Sequence, residues 1–168
     1  VFSFSILPIS TLAASLVTFT SQNTGAGKPE RVRAGIKSAT ILGFVWSLVA
    51  FFLLYFGGAA LVRMITDSDT FVIGTAVKYL RINVPFYAFL CILCFFRSTL
   101  QGLGQKIIPV IASIIELSGK AIIVFVLVPR MGYLAVCICE PILWILSGIL
   151  VSVPMYRFLK ITHSPDSA

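Results

Sequence analysis

Apolar runs of roughly 20 residues recur along the chain, long enough to cross the ~30 Å hydrocarbon core of a bilayer at 1.5 Å per residue. Five such runs read as spans at residues 1–20, 38–62, 85–100, 107–128 and 132–156. The pattern predicts an all-α membrane protein with about five transmembrane helices. The transmembrane domain is expected over residues 1–157 and a polar tail over 158–168, with the tail disordered from Arg157 onward.

The polar interruptions are short, and each carries turn chemistry. The longest is QNTGAGKPERVRAGIK at residues 22–37. Its Gly25 and Gly27 permit the left-handed conformation that ends a helix. Pro29 suits the first turn of the next helix, and Glu30 its positive end. Residues 64–70 form a second turn, in which Asp67, Ser68 and Asp69 can each cap the helix that follows. Residues 71–83 are amphipathic, with Lys78 and Arg81 opposite Val72, Ala76 and Leu80, and are expected to lie at the membrane interface. Gly102 and Gly104 break the helix after span three. Span one is rich in hydroxyls (Ser3, Ser5, Ser10, Thr11, Ser15, Thr18, Thr20). These read first as a packing face and alternatively as the lining of an aqueous path.

Composition agrees with the spans. The chain is 58% hydrophobic and 11% charged with a mean hydropathy of +1.02, where a soluble domain carries about 25% charge. The net charge of +7 sits at span ends and does not point to nucleic acid; the expected partner is the lipid bilayer. Cys91, Cys94, Cys137 and Cys139 lie inside apolar spans and read as small packing residues rather than metal or redox groups. The chain opens in an apolar stream without Met or a basic leader, unlike a signal peptide, and reads as a segment of a longer protein.

Charge also orients the spans. With residues 22–37 in the cytoplasm, Lys28, Arg31, Arg33, Lys37, Lys106, Arg157 and Lys160 fall inside, and Arg63, Lys78, Arg81 and Arg130 outside. This bias satisfies the positive-inside rule, with the N-terminus outside and the C-terminus inside. Arg97 lies just within the inner boundary.

Glu116 and Lys120 sit inside span four, where each charge costs roughly 2.5–3.5 kcal/mol on insertion scales. At i, i+4 they can form an ion pair along one helix; alternatively, Glu116 faces a water-filled cavity and binds a cation or exchanges a proton. Glu140, early in span five, is either hydrated near the outer interface or faces that cavity. His163 stands alone in the tail and reads as solvated. No pairing of Ser with His, no HExxH and no close carboxylates point to an enzyme.

Residues Gln22, Asn23, Gly25, Gly27 and Lys28, followed by Glu30 and Arg31, resemble the loop that ends a helix in multidrug and toxic compound extrusion (MATE) transporters. Further similarities follow in order: Tyr79 to Ile82; Arg97 with Gln101, Gly102 and Gly104; Pro109; Glu116 with Lys120; Gly132; and Pro141 with Trp144. The resemblance implies a twelve-helix transporter of two six-helix lobes, of which these spans are a partial lobe resembling helices eight to twelve. It further implies export of organic cations or drugs across the plasma membrane in exchange for Na⁺ or H⁺, no other cofactor, and an N-terminal lobe as the missing partner. Two departures are visible. One branch of the family carries a coupling carboxylate in its tenth helix, near Leu90 here, and span three has none. Another uses an aspartate in the first helix, which would lie outside this chain. Two further readings stand beside this one: a lipid-linked oligosaccharide flippase of the same superfamily and a non-transporting membrane scaffold.

Overall fold

The structure is a computed structural model that describes residues 2–65 and 70–161. Seven α-helices occupy nearly all of these residues: α1 Phe2–Gly25, α2 Pro29–Ile65, α3 Thr70–Asn83, α4 Tyr87–Gly102, α5 Ile107–Ile122, α6 Val128–Met131 and α7 Tyr133–Ile161. A 3₁₀ turn, Val84–Phe86, joins α3 to α4, and a π-helical turn, Ile123–Leu127, joins α5 to α6. Five continuous stretches are long and apolar enough to cross a membrane, as the hydropathy pattern predicts. The expected caps Asp67, Ser68 and Asp69, and His163 in the tail, lie outside the described residues.

The polar run at 22–37 is far more helical than its composition suggests. Only 26–28 are non-helical. Gly27 takes φ +65° while the Lys28 N–H bonds the Asn23 carbonyl at 2.9 Å and the Gly27 N–H bonds that of Thr24 at 3.0 Å. These are the two bonds of a Schellman cap. The same pair recurs at Gly104 (φ +79°), where Gln105 N–H bonds Leu100 O at 2.9 Å and Gly104 N–H bonds Gln101 O at 3.0 Å. Gly25 is still helical, so Gly27 alone supplies the left-handed residue there. Pro29 begins α2, as expected.

Helices α1 and α4 run parallel in a constant register. Ser5 meets Tyr87 at one end, and Thr20 and Val17 meet Gly102 at the other. The buried stripe of α1 is Ser5, Ile9, Ala13, Leu16 and Thr20, spaced to keep one face of a helix inward. Of the hydroxyls expected to form a packing face, Ser5 and Thr20 do so, and for the other five the expectation needs correction. Ser3, Ser10, Thr11, Ser15 and Thr18 lie on the open side of α1, outside the seam. Leu7 O accepts from both Ser10 and Thr11, and Thr11 O accepts from Ser15. Satisfied within their own helix, the hydroxyls of Ser10, Thr11 and Ser15 do not need a neighbour.

Pro8 lies within the continuous helix α1, close to a buried polar hub. Ser5 Oγ and Tyr87 Oη are 2.6 Å apart, and Trp46 Nε1 donates to Ser5 O at 2.9 Å. Phe2, Tyr87 and Trp144 pack their rings around it. Tyr87→Phe keeps the ring and removes the hydroxyl, and should lower stability by about 1 kcal/mol. Thermal unfolding in detergent, compared with the unaltered chain, reads this change.

Residues 71–83 form most of α3, which leads through the 3₁₀ turn into α4 and packs against α2. Along the length of α2 the antiparallel partner is α3 continued by α4, through Gly58 with Leu80, Tyr55 with Arg81, Ser47 with Cys91 and Gly43 with Phe95. The two faces of α3 are thus a core face (Val77, Leu80, Asn83) against α2 and α7, and a charged face at the open side. Pro85, which has no N–H, accounts for the break into a 3₁₀ turn. Asn83 reinforces the break by donating to Tyr79 O at 2.9 Å and Cys137 O at 3.2 Å.

Helix α7 lies across α4 and α5, and its end returns to the start of α2. Val32, Ile36 and Met155 are buried together, with Phe158 and Leu159 against them. The expected disorder from Arg157 is therefore corrected: an apolar face holds residues 157–161 in the helix. The π turn has a similar covalent cause. Pro129 cannot donate to the carbonyl four residues back, and the Val128 N–H reaches five residues back, to Ile123 O. Cys91, Cys137 and Cys139 are buried free thiols, in keeping with a packing role, and Cys94 is half-buried.

Candidate functional site

The charged residues inside the bundle form two ion pairs between helices. Arg97 on α4 reaches Glu116 on α5 at 3.4 Å, and Lys120 on α5 reaches Glu140 on α7 at 2.9 Å. Arg97 also donates to Ser113 Oγ, whose own hydroxyl donates to Pro109 O at 3.0 Å. Arg97, Glu116 and Glu140 retain 28%, 24% and 25% of their side-chain exposure, and Lys120 retains 45%. The groups are sheltered yet open to the outside of the bundle.

The i, i+4 pair expected between Glu116 and Lys120 is not the arrangement adopted. An intrahelical pair would leave Arg97 and Glu140 alone inside the membrane, each at a cost of a few kcal/mol. Pairing across helices accommodates all four charges. Residues four apart project about 40° apart around a helix, so Glu116 can turn to α4 while Lys120 turns to α7. Both lie in the interior of a stretch long and apolar enough to cross a membrane, about 14 Å and 20 Å along α5 from Ile107.

The result is a charge-balanced ladder, Arg97–Glu116 then Lys120–Glu140, that climbs from α4 over α5 to α7. Glu116, Lys120 and Glu140 were each expected as cavity candidates, Glu140 alternatively as hydrated near the outer interface, whereas Arg97 was expected only as a helix-end residue. The signal for Arg97 was present in the turn at residues 103–106. So short a turn makes α4 and α5 antiparallel neighbours, bringing Arg97 level with Ser113 and within one turn of Glu116.

The other residues singled out from sequence do not join the ladder. Gln22, Gly25 and Gly27 close α1, and Asn23 Nδ2 donates to Phe19 O at 2.8 Å in the same turn. Arg31 opens α2 at the surface, and Gln101 is exposed at the end of α4. Gly102 has a packing role: a Cβ there would lie 2.6 Å from Thr20 Cβ and 2.7 Å from Val17 O. Residues 22–37, the α4–α5 turn and the end of α7 meet at one end of the bundle, so the seven cations assigned to the inside share that end. Asn83 was not singled out, although it is the one amide inside the apolar run before Pro85; its Oδ1 is buried without a partner.

Among the described residues there is no cluster of three or more His, Cys, Asp or Glu side chains suited to a metal ion.

The MatE family model matches residues 1–127, most of the chain. The chain belongs to the MatE family. The match contains Arg97, Glu116 and Lys120 and stops short of Glu140, so one ion pair lies wholly within the family domain and the other reaches out of it. The MatE chain is accordingly a MATE-type transporter polypeptide embedded in a membrane by several passes. No curated protein and no solved structure matches it.

Proposed function

We propose that this MatE chain is part of a cation-coupled antiporter that exports drugs or other organic cations across the plasma membrane, with Na⁺ or H⁺ as the coupling ion. The observation that carries the reading is the ladder. Glu116 is sheltered, within the membrane and held by Arg97 at 3.4 Å. A proton or Na⁺ on Glu116 would compete with Arg97 for the same carboxylate. The displaced guanidinium would keep Ser113 and lose its counter-charge. Lys120 and Glu140 extend the same choice of partners to α7, so cation occupancy would be felt as a change in how α5 sits between its neighbours.

The open hydroxyl face of α1 supports a watered path alongside. The gathering of seven cations at one end supports a cytoplasmic placement of that end, with the N-terminus outside. A second six-helix lobe would complete the substrate cavity. The balanced ladder disfavours a flippase for a pyrophosphate-linked lipid, which would need surplus positive charge in its cavity. Ethidium efflux from vesicles containing the whole transporter, driven by an imposed Na⁺ or H⁺ gradient, is the expected result. Absence of gradient-dependent efflux for ethidium and other cationic dyes would contradict it.

A further inference from the structure

Away from the ladder, at the opposite end of the bundle from the seven gathered cations, three basic residues line one cavity of about 540 Å³ between α2 and α3. Arg63 comes from the last turn of α2, and Lys78 and Arg81 from the charged face of α3. The Arg81 guanidinium is positioned over the Tyr55 ring, 5.7 Å from its centroid. No carboxylate lines the cavity among the described residues, and the ion pairs found among them lie elsewhere. Three like charges converging on one space repel one another, and a bound anion relieves that repulsion.

The remaining wall selects the kind of anion. Ile73, Val77 and the Tyr55 ring give the cavity an apolar side next to its cations. A phosphate carried on acyl chains uses both sides, whereas free phosphate uses only one. Depth agrees with a headgroup. Helix α2 has 37 residues and the stretch Thr70–Gly102 has 33, so both exceed the ~30 Å hydrocarbon core by about 20 Å or more. Lys78 and Arg81, about 12 Å and 17 Å along from Thr70, therefore fall near the membrane surface. We propose that the cavity formed by Arg63, Lys78, Arg81 and Tyr55 binds the phosphate of an anionic phospholipid headgroup, with its chains along the apolar wall.

The test is saturable binding of dioctanoyl-phosphatidylglycerol to the purified chain in a zwitterionic detergent, with dioctanoyl-phosphatidylcholine and inorganic phosphate as parallel arms. The anionic phosphatidylglycerol should bind selectively over phosphatidylcholine, and R63Q/K78Q/R81Q should weaken its binding by about tenfold or more. The single exposed change Lys78→Gln should weaken it by about threefold, which keeps the test valid if the triple variant misfolds. K28Q/R31Q/R33Q, at the other end of the bundle, should leave binding unchanged. Equal loss in that control would mean diffuse attraction and overturn the proposal. Displacement by inorganic phosphate at equal concentration would assign a free-phosphate site instead. Binding that emerges only in D67N/D69N would mean that the neighbouring acids already neutralise the cations, and would likewise overturn it.

Discussion

Replacing Glu116 by Gln should abolish gradient-driven transport in the whole transporter and also destabilise the bundle. The amide keeps the shape and a hydrogen bond to Arg97, but it cannot balance the guanidinium. Arg97 is then a sheltered cation within the membrane that donates to Ser113 and the amide oxygen but has no counter-charge on α5. Breaking one side of a buried pair costs about 3–5 kcal/mol, and the partial exposure of both groups reduces this to about 1–3 kcal/mol. Arg97→Gln should cost a similar amount by leaving the carboxylate alone. The double variant R97Q/E116Q removes both charges, so it should recover most of the stability lost in either single variant. Thermal unfolding of the four proteins measures this coupling; strictly additive losses would mean that the pair contributes nothing.

Gly102→Leu should be the most damaging change outside the ladder. Even the Cβ of Ala at this position would stand 2.7 Å from the Val17 carbonyl oxygen. That oxygen belongs to the α1 backbone and cannot rotate away. The seam between α1 and α4 would have to open along its length, because the two helices keep one register from Ser5–Tyr87 to Thr20–Gly102. Gly102→Ala should cost about 1–3 kcal/mol by overpacking, and Leu more. The expected readout is loss of folded protein on size-exclusion chromatography, with Gly25→Ala nearly neutral because nothing stands near Gly25. Equal behaviour of the two glycine variants would contradict the assignment of Gly102 to the seam.

Much of the architecture was legible in hydropathy, since an apolar run of sufficient length has few alternatives in a bilayer. The boundaries were less so. Polar Gln22, Asn23 and Thr24 read as loop, yet a helix leaving the hydrocarbon core continues while its backbone bonds remain favourable. A cap at Gly27 then ends it. Residues 71–83 read as an interfacial helix because Lys78 and Arg81 share a face. Their opposite face packs against α2, a long-range fact that periodicity does not carry.

The site divides in the same way. The cost of Glu116 and Lys120 inside an apolar span marked them at once, and their spacing suggested a pair along one helix. What periodicity could not supply was the demand of Arg97 and Glu140 for partners of their own, which arises only once α4 and α7 pack beside α5. Gly102 shows the reverse error: a glycine before a turn was read as a helix breaker. Its neighbour two residues on, Gly104, supplies the left-handed cap, and Gly102 serves the close approach of α1.

Dye efflux by the R97Q/E116Q double variant separates coupling from support. In vesicles holding the whole transporter, an imposed Na⁺ or H⁺ gradient should drive ethidium export by the unaltered protein. The double variant should be folded and nearly as stable, and should show no gradient-driven export. Export at the unaltered rate in the charge-free variant would contradict a coupling role for Glu116 and leave the ladder a purely structural feature.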